Sequence, residues 1–330
     1  MIRSAALLAT AALLAGTAHA APFTGKGLPA DTVAFIHVDA EASADGELAK
    51  AIKALAEKNP SKTATALGNL SAQLNSGNIV DASAGIIIGK KNTPEIAAII
   101  HVNSDAKVLY QFAADHPEVK RIRAGNIDWI DLADAMNKTG AQRSQPLYVA
   151  APSKDTFLIA SLDCLEASAA AATGKTASFS TPAAAKSLAG SGAGIVGYFP
   201  EAAVKAFAEA QAGAPPVPGL KALRFSLGES DGHVKLDAVA TMTDDESAQQ
   251  ANATASMYQM VFAGMLTRQK AADAKQKADN AFFASLLQSL KFSADGASLK
   301  IGFDYPAAKL AAKLAEKQDL ILKAAEGATK

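Results

Sequence analysis

Cysteine occurs once in the 330 residues, as Cys164, so no disulfide can close within the chain and no Cys-based zinc site or iron–sulfur cluster can be built. Net charge is missing too: 32 Lys and Arg balance 32 Asp and Glu, which excludes the basic footprint of a nucleic-acid binder. Beyond the first 20 residues no uninterrupted apolar run approaches the roughly 18 residues that span a bilayer, and no aromatic-girdled alternating strands suggest a barrel. No Gly-x-Ser-x-Gly elbow occurs. What is abundant is small and apolar: 49% hydrophobic residues and 77 alanines, with aromatics at 6%, predict a packed core made mostly of small side chains.

The first 20 residues read as a signal peptide. Arg3 is followed by an apolar run from Ala5 to Gly16 and by Ala18-His19-Ala20, the small-x-small pattern that precedes cleavage. Ala21 stands where a lipoprotein would need cysteine, so an exported, soluble, unanchored protein of near-neutral charge is expected, placed in the periplasm.

The remaining length predicts two α+β units, 21–174 and 194–330, joined by an Ala, Gly and Ser-rich linker at 175–193. Each spells strand, helix, hairpin, helix, hairpin, helix, and each is expected to be a two-layer sandwich with a mainly antiparallel sheet. In the first, Val33 to Val38 is strand-like, Leu48, Ile52 and Leu55 mark a helix face, and Leu67, Leu70 and Leu74 another. Gly85–Gly89 and Ile96–Val102 read as a hairpin across Asn92 and Pro94, a helix covers about Asp105 to Ala114, and Ile127 to Leu132 is a further strand. Leu147–Ala150 and Thr156–Ser161 flank a turn, and a helix runs from Asp163 to near Gly174. In the second, Ile195–Phe199 leads into a helix at Glu201–Gln211, which the Pro215-Pro216-Val217-Pro218 run ends. Leu223–Leu227 and Val234–Met242 pair across Asp231-Gly232. Thr243 and Glu246 have capping-box spacing before a long helix bearing Ala251, Ala255, Tyr258, Phe262 and Leu266. A helix at Phe282–Leu290, the Asp295-Gly296 turn, a strand Leu299–Tyr305 and a helix from Pro306 complete the unit. Uninterrupted apolar strands predict a first sheet covered on both faces, whereas period-two alternation predicts one wet face in the second.

Phe35-Ile36-His37-Val38-Asp39-Ala40-Glu41-Ala42 parallels Ile195-Val196-Gly197-Tyr198-Phe199-Pro200-Glu201-Ala202, a strand entering a helix in each. With Leu28-Pro29-Ala30-Asp31-Thr32 before the first strand and the closing hairpin, Ala-rich helix, Leu-x-Phe strand and Asp-Gly turn, most of the chain resembles exported bacterial proteins grouped as domains of unknown function. That resemblance implies duplicated α+β units and supplies no catalytic motif.

Several motifs are accidents of local structure. Gly192-Ala193-Gly194-Ile195-Val196-Gly197 matches a dinucleotide fingerprint, but its glycines run into a strand rather than open a helix. Gly174-Lys175-Thr176 lacks the upstream glycine of a phosphate loop, since residue 169 is Ala169, and reads as a helix cap. Ser104-Asp105-Ala106-Lys107 with Lys138-Thr139-Gly140 lacks the third element of penicillin-binding chemistry, and Ser104 is expected to cap a helix. Cys164 at a helix start is read as a buried small hydrophobe. Met242, Met257, Met260 and Met265 could offer thioethers to Cu(I), but helix and strand spacing predicts core packing.

His37 and His101 carry the one spatial argument. Each is the third residue of an apolar-apolar-His-Val unit followed by Asp39 or Asn103, and on adjacent strands in register the rings would meet. With Asp39 they could form a metal site; the expected outcome is two core histidines hydrogen-bonded locally and binding nothing. The sequence therefore predicts an exported, non-enzymatic binding or scaffolding protein without cofactor, nucleic-acid partner, membrane span or lipid anchor. A periplasmic hydrolase or metal-dependent enzyme centred on His37 and His101, and a carrier of a hydrophobic ligand, are the alternatives.

Overall fold

Every strand among the described residues joins one antiparallel sheet. The computed structural model describes residues 23, 25–40, 46–48, 50–51, 79–89, 93–116, 119–131, 147–186, 188, 193–210, 218–270 and 273–316. The expected leader, the helix faces at Ile52, Leu55, Leu67, Leu70 and Leu74, and the Lys138-Thr139-Gly140 motif lie outside these residues. So do Asn92 of the first hairpin turn and Pro215 to Val217.

Twelve strands are ordered β11-β12-β10-β9-β8-β1-β2-β3-β7-β6-β5-β4. They are β1 (Ala34–Asp39), β2 (Ile79–Ile88), β3 (Pro94–Val102), β4 (Arg121–Ala124), β5 (Ile127–Asp131), β6 (Leu147–Ser153) and β7 (Thr156–Ser161), then β8 (Ile195–Pro200), β9 (Leu220–Ser230), β10 (His233–Met242), β11 (Leu290–Asp295) and β12 (Ser298–Pro306). Among the described residues six α-helices accompany them: α1 (Val108–Asp115), α2 (Leu165–Ala172), α3 (Glu201–Ala210), α4 (Asp245–Arg268), α5 (Ala274–Gln288) and α6 (Ala307–Glu316). None is long and apolar enough to cross a membrane.

The two halves of the chain share this sheet rather than forming a sheet each. β1 pairs with β8 through Phe35↔Tyr198, Ile36↔Gly197, His37↔Val196 and Val38↔Ile195. A second joint is polar: the buried Glu229 carboxylate on β9 accepts the Glu47 and Leu48 backbone N–H groups at 3.0 and 3.2 Å. The segment between the halves contributes to the core as well. Phe179 is buried within 5.7 Å of Phe35, centroid to centroid, and Ser178 forms a bridge with Pro29.

Around β1 to β7 both sheet faces are covered, as the uninterrupted apolar strands predict. On one face Phe35, Ile99, Leu158 and Trp129 pack against Cys164, Leu165 and Ala169 of the α2 region. On the other, Val102, Ile130, Val149 and Phe157 meet Ala106, Leu109 and Ala113 at α1. The small residues of α1 and α2 let each helix lie close to the strands. The β4–β5 turn uses Gly125 and Asn126, both at positive φ, and a side chain at Gly125 would strike the Ala169 methyl of α2.

The last four strands have the expected two-sided pattern. Val234, Ala240, Leu299 and Tyr305 are buried, while Asp237, Thr241, Lys300 and Asp304 on the opposite face are exposed. Asp231-Gly232 and Gly296 have the positive φ their hairpin turns need. The cap of α4 differs from the expected box: Asp244, one residue after Thr243, accepts the Ser247 N–H at 2.7 Å, and the Thr243 hydroxyl instead donates to the Gly219 carbonyl. A carboxylate is the stronger acceptor for a charge-assisted bond at a helix N-terminus. α5 starts earlier than its Phe282 periodicity suggests, because Asp273 caps it at Gln276. Ser104 is not the cap of α1; Lys107 precedes the helix and its N–H is taken by Asp105.

Candidate functional site

The pair singled out in the sequence is not on adjacent strands. β2 lies between β1 and β3, with His37 opposite Ser83 and His101 opposite Asp81. Alternation then places His37, Asp39, Ser83, Asp81 and His101 on one face of three strands. The His37 Nδ1 is 2.8 Å from the Ser83 hydroxyl, and the His101 Nδ1 is 2.7 Å from Asp81 Oδ1. Both rings thus bond locally, each to a β2 residue that sequence periodicity could not connect with it.

Their environments push them apart. Burial beneath Phe23, whose ring centroid lies 5.2 Å away, lowers the His37 pKa against the pull of Asp81 and Asp39. The hydrogen bond to Asp81 raises that of His101, which borders an open cleft of about 660 Å³ with Asn103, Asp105, Lys154 and Asp155. A Ser–His pair invites a hydrolase reading, but Ser83 and His37 are 6% and 8% exposed, so no substrate carbonyl can reach the hydroxyl. The His37 Nε2, the nitrogen that would complete a relay or ligate a metal, is buried and has no hydrogen-bond partner among the described residues. Among the described residues no group of three His, Cys, Asp or Glu side chains is placed to hold a metal ion.

Cys164 is buried, and loss of solvation with nearby Glu95 pushes its thiol up to about 12. It has no thiolate to offer as a nucleophile at neutral pH. Gly174, at positive φ, ends α2 with backbone bonds back to its last turn, as a cap rather than a phosphate loop. Gly197 of the fingerprint sits inside β8 and opens no helix.

Three of the four methionines overturn their expected packing. Met242 is 3% exposed, but Met257, Met260 and Met265 are 49%, 69% and 61% exposed on α4. Tyr258, Val261 and Phe262 beside them, and Phe283 on α5, are exposed as well. The cause is helical phase. Ala248, Ala251, Ala255, Gln259, Ala263 and Leu266 take the inward line, with Gln259 Nε2 donating to the Leu287 and Leu290 carbonyls at 2.7 Å each. Small residues and one satisfied glutamine fill the contact with α5 and β11, which leaves the large side chains outside. The sequence carried a signal for this. From Ser247 to Thr267 there is no charge, and residues 257–266 are apolar around most of the helix, too wide for one buried stripe. A shallow apolar depression lies between Met260, Val261, Gly264 and Met265, with Arg268 at its rim. The arrangement can bury apolar surface against another body; it has no converging acid, base or nucleophile.

No family model and no curated protein matches the chain. Solved structures of TP0453 align with most of the chain. Crystal forms I, III and IV align over 89% of this chain and 96%, 98% and 97% of theirs, at 8% identity and TM-scores of 0.44, 0.48 and 0.48.

Proposed function

We propose that the chain is an exported, non-enzymatic binding or scaffolding protein of the periplasm that docks through the apolar face of α4. The observation that carries this reading is the run Met257, Tyr258, Met260, Val261, Phe262 and Met265, each about half exposed or more on one helix. A chain exposing so much flexible apolar surface gains several kcal/mol by covering it, and methionine adapts its shape to the surface it meets. Export is supported by the Arg3, apolar run and Ala18-His19-Ala20 pattern.

Strand order supports a duplication. Outward from the β1–β8 pair, β1-β2-β3-β7-β6 on one side is answered by β8-β9-β10-β12-β11 on the other, with the β4–β5 hairpin an addition to the first half.

Binding of an apolar fluorescent dye such as anilinonaphthalene sulfonate to dilute native protein tests the docking face. The expected result is saturable binding that a Met257→Lys, Met260→Lys, Met265→Lys variant loses while its melting temperature stays within about 3 °C of the parent, because exposed substitutions cost little. Absence of dye binding by the folded parent, or unfolding of the variant, would remove the reading.

A further inference from the structure

We propose that the partner covering this face is a second copy of the chain, two α4 helices packing antiparallel about a two-fold axis near Met257. The proposal rests on the docking reading above and names its occupant.

The helix carries a stripe that reads the same from either end. Glu246, Gln250, Ala253, Met257, Val261, Gly264 and Arg268 follow at intervals of 4, 3, 4, 4, 3 and 4, which at 100° per residue keeps them within about 40° of one line along the helix. All but the half-buried Gly264 are exposed. Turned about Met257 and laid on itself, the stripe sets Glu246 against Arg268 at both ends, Gln250 against Gly264, and Ala253 against Val261. Opposite charges meet at the rim, small residues meet larger ones inside, and Met257 meets its own copy on the axis. This is the self-complementarity a two-fold interface requires.

Gly264 adds an independent sign. Among the described residues a side chain there would meet nothing within 4 Å, so none of them requires a glycine, although glycine in a helix interior costs about 1 kcal/mol relative to alanine. Close approach of a second helix backbone gives the residue a purpose.

The apolar part of this face is compact. Met257, Met260, Val261 and Met265 lie within about 80° of the stripe's line, and each is about half to two-thirds exposed. At roughly 200 Å² each they present on the order of 450 Å², the apolar centre of an interface whose rim Glu246, Gln250 and Arg268 supply. An anionic lipid surface is the poorer fit, since the chain has no net positive charge and Glu246 lies in the stripe.

The test is the mass of the exported protein by sedimentation across a dilution series, with two charge variants. A dimer is expected at tens of micromolar, with Glu246→Arg and Arg268→Glu each weakening it roughly tenfold by placing like charges at both ends, and the Glu246→Arg, Arg268→Glu double variant regaining it. A protein that is monomeric at about 100 µM, or a double variant no better than the singles, overturns the proposal. If that monomer still binds the apolar dye, the docking face stands and only self-pairing is lost; if it binds none, both readings fall. Co-sedimentation of the monomer with phosphatidylglycerol vesicles would assign the face to lipid and also overturn the proposal.

Discussion

Phe35→Ala tests the claim that the two halves form one cooperative body. Phe35 is fully buried on β1, stacked on Phe23 at 4.1 Å and within 5.7 and 6.4 Å of Phe179 and Tyr198, so its ring touches both sides of the β1–β8 joint and the segment between them. Removing a buried phenylalanine ring costs about 3–5 kcal/mol from lost burial and the cavity left behind. For a chain of this length that lowers the melting temperature by roughly 5–8 °C. Two probes separate the halves. Trp129, the only tryptophan, reports the first through fluorescence, and the long α4 and α5 helices dominate the far-ultraviolet signal of the second. A shared sheet predicts that both signals shift together by the same amount. A fluorescence transition that moves while the helical transition stays in place would refute it.

The histidine cluster and the thiol give two further tests. His101, whose pKa is raised, contributes stability that is complete below pH 6.5 and is lost as pH rises through its folded value; His37, whose pKa is lowered, contributes stability that is complete above pH 6.5 and is lost as pH falls through its folded value. Chemical denaturation against pH is therefore expected to lose its alkaline-side decline in His101→Gln and part of its acid-side decline in His37→Gln, and unchanged curves would contradict the assigned environments. Cys164 is expected to resist a thiol reagent in the native protein and to react fully once unfolded, whereas rapid native labelling would contradict its burial.

The elements legible in the sequence are those that local chemistry determines. Asp231-Gly232 and Asp295-Gly296 announce hairpins because the turn requires φ above zero, and the alternation of β10 and β12 follows from one face meeting water. β4 was silent, because four residues with Arg121 and Arg123 around Ile122 carry too little apolar pattern. Strand order was not local information. Asp81 and Ser83 are polar residues in the first half of β2, and only the place of β2 between β1 and β3 ties them to His37 and His101. The outward methionines escape sequence pattern for a related reason. Periodicity finds the line of a helix that is apolar, but which line turns inward is decided by the neighbour, and here α5 and β11 accept alanines and Gln259.

Peroxide oxidation of the methionines, followed by peptide mass at several protein concentrations, addresses the docking face most directly. Met257, Met260 and Met265 are expected to oxidise much faster than Met242 in dilute protein and to become protected as concentration rises. Equal, slow oxidation of all four at every concentration would place the α4 face in the protein's own core and contradict the account.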